Sequence, residues 1–209
     1  KMNRLIDFRS DTVTRPTPEM RKAMFEAPVG DDVLGEDPTA NALQEKAAAL
    51  LGKEAVLFVA SGTMGNQLSI KAHTQPGDDV IIEAGGHAMN FEGGSSAVLS
   101  SVQFSTIPGN RGVFDADQVE AAIRVEDVHY PVSRLVIIEN THNRGGGTVF
   151  PLKNILRIRE VASRRGLRMH MDGARLWNAC VASGISPKEY AAPFDSVSVC
   201  LSKGLGCPV

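Results

Sequence analysis

The sequence lacks the features that mark membrane spans, nucleic-acid contacts and disulfide frameworks. Its 209 residues carry a net charge of −2 and hold no block of basic residues, which argues against nucleic acid or an anionic membrane as the main partner. The longest apolar runs, such as residues 55–60, are far too short to cross a bilayer. The three cysteines, Cys180, Cys200 and Cys207, lack CxxC spacing. They indicate free thiols in a reducing compartment, and we expect a cytoplasmic protein.

The five histidines also lack the spacing of a metal site. No two of them stand three or four residues apart, as paired ligands on one helix would. We therefore expect no metal. Composition alone does not choose a catalytic histidine among His87, His129 and His170.

What the sequence does contain is an alternation of helical and strand-like segments. Hydrophobic residues make up 43% and charged residues 22%, the proportions of an ordinary globular domain. Apolar runs predict strands at residues 55–60, 80–82, 102–104, 135–138, 167–171 and 197–201. Helices are predicted at residues 16–27, 38–50, 62–72, 116–123, 152–164 and 174–183. This order predicts an α/β fold with three α/β/α layers and a mostly parallel central sheet.

Several polar residues fall at or just past the ends of the predicted strands. Ligands of parallel sheets bind beyond the carboxyl ends of the strands, where Ser61, Glu139, Asp172 and Lys203 should meet. A poorly solvated lysine attacks carbonyl groups, and a buried carboxylate keeps a pyridine nitrogen protonated. Lys203 and Asp172 together suggest a pyridoxal phosphate site. The alternative is a surface lysine in a turn and a helix-capping aspartate.

Two further segments fit a ligand site. Residues 61–66 (SGTMGN) follow a predicted strand and open a helix, so their small side chains and free backbone N–H groups suit a phosphate. The alternative is an ordinary capped turn between strand and helix. Arg175, three residues after Asp172, could bind a carboxylate with two parallel hydrogen bonds, or form an ion pair with that aspartate.

Six segments match one known family in order. They are residues 9–16 (RSDTVTRP), 29–39 (VGDDVLGEDPT), 61–66 (SGTMGN), 139–143 (ENTHN), 170–175 (HMDGAR) and 201–206 (LSKGLG). Together they resemble the L-threonine aldolases, which are fold-type-I pyridoxal phosphate enzymes, and the resemblance runs from Asp7 to Val209. It implies a large cofactor-binding domain at residues 1–209 with an N-terminal arm, and without the C-terminal small domain of the family.

The resemblance implies roles for particular residues toward the cofactor. Lys203 is implied as the Schiff-base lysine, and Asp172 as the partner of the pyridinium nitrogen. Gly62 and Thr63 are implied as ligands of the phosphate. His87 is implied as the imidazole that stacks on the pyridine ring.

Substrate contacts are implied by the same resemblance. Ser10 and Arg175 are expected to contact the substrate carboxylate, and Arg175 is counted in the cofactor site as well. His129 matches the histidine near the substrate hydroxyl. His129 and His87 are the candidate general bases for the hydroxyl proton, with His129 slightly ahead. Glu92 is a third candidate, although a solvated glutamate is the simpler interpretation.

The activity implied by the resemblance is cleavage of L-threonine or L-allo-threonine to glycine and an aldehyde. The family enzymes are usually homotetramers, so we expect a dimer of dimers that binds an amino-acid substrate in active sites between subunits. One alternative is another fold-type-I lyase that catalyses β-elimination. A second is a truncated, non-catalytic product that associates with a longer subunit, because the sequence stops at Val209, soon after Lys203.

Overall fold

A parallel sheet forms the centre of the protein. The structure is a computed structural model that describes residues 6–208. Within that range the five strands are β1 (Asp79–Glu83), β2 (Gln103–Ile107), β3 (Ser133–Glu139), β4 (Arg168–Gly173) and β5 (Ser196–Val199). They lie in the order β2-β1-β3-β4-β5, and each neighbouring pair is parallel. Residues 1–5 and Val209, which the expected domain includes, lie outside the described part of the chain.

Helices connect the strands and cover the sheet. They are α1 (Pro18–Glu26), α2 (Pro38–Leu51), α3 (Gly62–His73), α4 (His87–Asn90), α5 (Ala116–Ala122), α6 (Leu152–Arg165), α7 (Leu176–Ser183) and α8 (Pro187–Ala191). A 3-10 helix covers Asp11–Val13, and a π-helical turn covers Ser96–Ser100. None of the helices in residues 6–208 has the length and apolar character needed to cross a membrane.

The sheet separates two hydrophobic layers. Along β1, Ile81 packs into the larger layer, whereas Val80 and Ile82 pack into the smaller one. This follows because successive side chains of a strand point to opposite faces. Helices α5, α6 and α7 contribute side chains to the larger layer, and α3 contributes Ile70 to the smaller one. The predicted three-layer α/β/α fold with a parallel central sheet is confirmed.

One predicted strand, at residues 55–60, is wrong. Among the described residues no strand pairs with this segment, and it has no strand structure. Leu57 and Phe58 are exposed, and the N–H of Phe58 donates to the side chain of Gln44. A strand needs a neighbouring backbone to bond with, and an apolar run does not reveal whether that neighbour exists.

The other predicted elements are present with shifted ends. Strand β5 stops at Val199 and not at residue 201, and α7 begins at Leu176, two residues later than predicted. The short helices α4 and α8 were not predicted. Helices of four or five residues show too little periodicity to be recognised in a sequence.

The core makes a direct prediction about stability. Ile138 in β3 is wholly buried, so Ile138→Ala removes a packed side chain and leaves a cavity. We expect the free energy of unfolding to fall by about 2–5 kcal/mol, measured by urea denaturation followed by circular dichroism. Val181→Ala is the control, because Val181 is 88% exposed, and it should change that free energy by less than about 0.5 kcal/mol. Similar losses in both variants would contradict the described core.

Candidate active site

The carboxyl edge of the sheet gathers several charged residues, among them the three that the sequence singles out. Glu83 and Glu139 end β1 and β3, and Asp172 is the next-to-last residue of β4. Glu139 and Asp172 are register partners on neighbouring strands, so their side chains point to the same face. Lys203 follows the end of β5 and therefore lies beyond the same edge. This is the placement that the sequence predicts for a ligand site.

A buried thiol connects Lys203 with Asp172. Nζ of Lys203 lies 3.6 Å from Sγ of Cys200, at the end of β5. Burial raises the pKa of the Cys200 thiol, the charge of Lys203 opposes that shift, and the charge of Asp172 adds to it. Lys203 contacts Cys200 just after β5, and Asp172 is paired with Ser198 on the neighbouring strands β4 and β5, so the half-buried lysine and the aspartate lie at the same edge of the sheet.

Asp172 is buried, and both of its carboxylate oxygens have donors. It is 2% exposed; Nδ2 of Asn66 donates to Oδ2 at 2.8 Å, and the N–H of Ala174 donates to Oδ1 at 3.1 Å. The same Asn66 amide donates to Oε1 of Glu92 at 2.8 Å. Glu92 is only 4% exposed, and Gln67 also donates to it. The interpretation of Glu92 as a solvated glutamate is therefore wrong.

His87 lies beside these carboxylates at the start of α4. Its N–H donates to Oε2 of Glu139 at 2.9 Å, and its Nδ1 lies 3.0 Å from Oε1 of Glu92. The hydrogen bond with Glu92 is the main cause that raises the pKa of His87. Partial burial opposes that shift, and the charges of Asp172 and Glu139 add to it. Because Nδ1 faces Glu92, Nε2 is the ring nitrogen left to contact a ligand.

Ligand atoms of His87, Glu92 and Asp172 lie within 4.8 Å of one another, which is a spacing that a metal ion could use. The Asn66 amide already donates to both carboxylates, so the group is satisfied without a cation. Such a cluster alone does not define a metal site. The expectation that the protein uses no metal stays a prediction.

Gly62 and Thr63 form the first turn of α3, next to Lys203. A Cβ atom at Gly62 would lie 2.8 Å from Sγ of Cys200, so glycine lets the start of the helix approach the end of β5. Ser61 caps the helix, since its Oγ accepts the N–H of Met64 at 3.1 Å. The capped turn and the phosphate site are therefore compatible, because a capped start of a 12-residue helix still favours an anion.

The N-terminal arm reaches this site through Arg175. Nε and Nη2 of Arg175 donate to the two carboxylate oxygens of Asp11, each at 2.8 Å, and the pKa of Asp11 is lowered by that contact. Thr14 also donates to the backbone oxygen of Lys203 at 2.7 Å. Ser10, which precedes Asp11, accepts the N–H of Thr12 as a helix cap. Arg175 therefore pairs with Asp11 of the arm, and not with the nearby Asp172 considered from the sequence.

His129 lies apart from these residues. Its side chain is 83% exposed, and its Nδ1 lies 2.7 Å from Oδ1 of Asp127 in the loop before β3. The loop that leads into a parallel strand lies at the amino edge of the sheet, opposite to Asp172. The structure thus does not join His129 to the other predicted residues within one chain, and its role stays a prediction.

A buried histidine, His142, contacts the loop after β3. The N–H of Gly145 donates to Nδ1 of His142 at 3.0 Å, so the proton of the neutral ring is on Nε2. That atom lies 2.9 Å from Oε2 of Glu83 in a close contact that is not a well-directed hydrogen bond. Burial and the charge of Asp172 raise the pKa of the neighbouring Glu139.

Sequence reasoning missed the polar layer behind the carboxylates. Asn66 was recognised only as part of a glycine-containing turn, although its side chain contacts Asp172, Glu92 and His170. A signal for His170 exists, since it stands two residues before Asp172 and so shares its face of β4. No spacing or periodicity marks Glu92.

These residues fit a cofactor that carries an aldehyde, a ring nitrogen and a phosphate. A half-buried amine, a buried carboxylate and the start of a helix meet at one edge of the sheet. Residues 7–209 match the family model described as "Beta-eliminating lyase". The chain belongs to the beta-eliminating lyase family.

Relatives within this family carry aldolase names. The chain is 46% identical to a low-specificity L-threonine aldolase of Arabidopsis thaliana, covering 99% of the chain and 59% of that protein. It is 45% identical to the low specificity L-threonine aldolase of Escherichia coli, covering 98% of the chain and 61% of that protein. A solved Leishmania major threonine aldolase has the same fold, with a TM-score of 0.80 at 22% identity over 92% of the chain and 57% of that structure. The chain thus spans about 60% of the length of these relatives.

The contact between His87 and Glu92 predicts a pH dependence. Because the pKa of His87 is raised on folding, its protonation stabilises the folded chain below the ordinary histidine pKa of about 6.5. That contribution is lost as the pH rises through the raised value. Glu92→Gln should lower the pKa of His87, measured by NMR titration of its ring protons. Glu126→Gln, at an exposed site, should leave the titration unchanged, and an unchanged titration in Glu92→Gln would refute the assignment.

Proposed function

We propose that this chain is the cofactor-binding part of an aldolase that uses pyridoxal phosphate. Its substrates would be L-threonine or L-allo-threonine, and its products glycine and an aldehyde. The proposal is supported by the position of the Lys203 amine and the buried Asp172 carboxylate at the same edge of the sheet. The charges of both groups influence the pKa of the Cys200 thiol. The names of the plant and bacterial relatives support the choice of substrate.

When bound, pyridoxal phosphate supplies an aldehyde that links to amines and a protonated ring that accepts electrons from a broken carbon–carbon bond. Lys203 would hold the aldehyde, and the start of α3 at Gly62 and Thr63 would hold the phosphate. Asp172 would keep the proton on the ring nitrogen. Its carboxylate is suited to this task because Asn66 and the N–H of Ala174 fix its position.

His87 would stack on the cofactor ring with Nε2 free, since Glu92 holds Nδ1. A raised pKa keeps a larger share of His87 protonated near neutral pH, which weakens it as the base for the substrate hydroxyl. This favours His129 for that step. Because His129 lies at the amino edge of its own sheet, we expect it to act in the site of a neighbouring subunit.

Arg175 would bind the substrate carboxylate together with Ser10. The guanidinium now makes two hydrogen bonds with Asp11, which is the geometry that a substrate carboxylate would use. Substrate binding at Arg175 therefore requires Asp11 to move or to share the guanidinium. Arg175 would in this way link the N-terminal arm to the occupancy of the site.

A homo-oligomer in the cytoplasm is part of the proposal. The 3-10 helix of the arm and α1 bury no residue, and Phe8, Phe25 and Val33 are almost fully exposed. An apolar surface of this kind is typical of an association surface. This exposed surface supports contact between the arm and a second subunit. The free cysteines support a reducing compartment such as the cytoplasm.

The family description also favours a second candidate, a lyase that eliminates at the β-carbon. Its cofactor chemistry would involve the same Lys203 and Asp172. The two activities differ in the bond that breaks, so their products separate them.

Incubation of the 209-residue chain with pyridoxal phosphate and L-threonine tests the proposal. We expect glycine and acetaldehyde in equal amounts, measured by chromatography of both products. Lys203→Ala should abolish them, whereas Lys153→Ala, at an exposed position of α6, should not. A keto acid and ammonia would support elimination instead. Cofactor binding without either reaction would support the non-catalytic alternative.

A further inference from the structure

One amide group joins the two buried carboxylates of the site. Nδ2 of Asn66 lies 2.8 Å from Oδ2 of Asp172 and 2.8 Å from Oε1 of Glu92. Ionised carboxylates only accept hydrogen bonds, so the NH2 end of the amide must face them. If the amide turned over, its oxygen would face two carboxylate oxygens, and no donor would offset their repulsion. The orientation of Asn66 therefore decides whether both carboxylates are satisfied.

Two side chains contact the oxygen end of the same amide. Oγ of Ser198 lies 2.6 Å and Nε2 of His170 lies 3.1 Å from Oδ1 of Asn66. A serine hydroxyl rotates and can donate or accept, so Ser198 tolerates either orientation of the amide. A neutral histidine nitrogen is a donor or an acceptor according to its tautomer. At the oxygen end of the amide, His170 is thus the residue that distinguishes the two orientations.

The surroundings of His170 fix its tautomer. The ring is wholly buried, and burial lowers the pKa of His170 to about 3, so the ring is neutral and carries one proton. Nδ1 lies 2.9 Å from Oγ of Ser196, which can donate, whereas Nε2 faces the oxygen of Asn66, which only accepts. The backbone oxygen of Ser196 would accept a proton on Nδ1, but the orientation of Asn66 that both carboxylates require calls for a donor at Nε2, and we therefore assign the proton to Nε2. Oγ of Ser196 also lies 2.9 Å from Nε2 of His73, at the end of α3. In this arrangement each side chain donates to the next one, in the order His73, Ser196, His170 and Asn66, and Asn66 donates to the carboxylates.

We propose that His170 is a positioning residue, whose Nε2–H holds the Asn66 amide in the one orientation that donates to both Asp172 and Glu92. The consequence for catalysis rests on the proposed function, in which Asp172 acts on the cofactor ring and Glu92 orients His87. One amide serves both carboxylates, so a change at His170 disturbs both of these contacts together.

The first test is 15N NMR of the histidine rings in the 209-residue chain without cofactor. We expect the His170 ring, assigned by its absence from His170→Gln, to be protonated at Nε2 and not to titrate between about pH 5 and 9. A proton on Nδ1, or a titration in that range, would overturn the proposal. This measurement does not need the cofactor. If the unmodified chain fails to bind pyridoxal phosphate, the proposed function fails, and the tautomer still decides the role of His170.

The second test compares two variants at this position. His170→Gln keeps a donor near the place of Nε2, whereas His170→Leu removes it. We expect His170→Leu to weaken pyridoxal phosphate binding about tenfold, measured from the absorbance of the lysine-linked cofactor, because a buried hydrogen bond to a polar partner is lost. His170→Gln should stay within about threefold of the unmodified chain, on the same scale.

Thermal unfolding of both variants without cofactor is the control for the fold. Equal weakening of binding in His170→Gln and His170→Leu, or none in either, would show that the donor at His170 does not matter and would contradict the proposal. If His170→Leu does not fold, Asn66→Leu replaces it in the comparison. Because Asn66→Leu removes the group that His170 holds, the difference between His170→Gln and the unmodified chain is measured in its background, and a difference as large as in the chain with Asn66 would contradict the proposal.

Discussion

The hydrogen bonding of the Asp172 carboxylate is the constraint on which the rest of the site depends. A charge taken out of water costs several kcal/mol unless donors surround it. Here the donors are the amide of Asn66 and the N–H of Ala174, and hydrogen bonds to a charged group contribute about 1.5–3 kcal/mol each. Because the same amide also donates to Glu92, a change at Asn66 removes a hydrogen bond from both acidic groups.

Helix α3 contains both the turn that we propose for the phosphate and the side chain that donates to the carboxylates. Its first turn lies against Cys200 because Gly62 has no Cβ, and one turn later Asn66 points at the ends of β4 and β5. The start of the helix and the amine of Lys203 thus both lie near Cys200, while the buried side of the helix supplies the amide. A change that tilts α3 would therefore disturb both the turn proposed to hold the phosphate and the hydrogen bonds of Asn66 to the carboxylates.

Much of the fold could be predicted from the sequence, because five of the six apolar runs overlap strands of the parallel sheet. The strand predicted at residues 55–60 is wrong, because strand pairing depends on a neighbouring strand that no local pattern encodes. At the site, Lys203 and Asp172 could be placed because each follows or ends a strand. The contacts of Asn66 and Glu92 could not, since they join residues 26 and 106 positions apart. The rule that places Lys203 and Asp172 separates His129 from them, because His129 precedes a predicted strand and its loop therefore lies at the opposite edge; only the family resemblance assigned it to the site.

The central claim is that the amine at position 203 takes the cofactor and that Asp172 faces it from the neighbouring strand. The most direct measurement is reduction of the chain with borohydride in the presence of pyridoxal phosphate, followed by mass spectrometry of its peptides. The account predicts that the reduced cofactor is attached to Lys203, and that this labelling is strongly reduced in Asp172→Ala. Labelling of a different lysine, or labelling of Lys203 that is unchanged in Asp172→Ala, would contradict it.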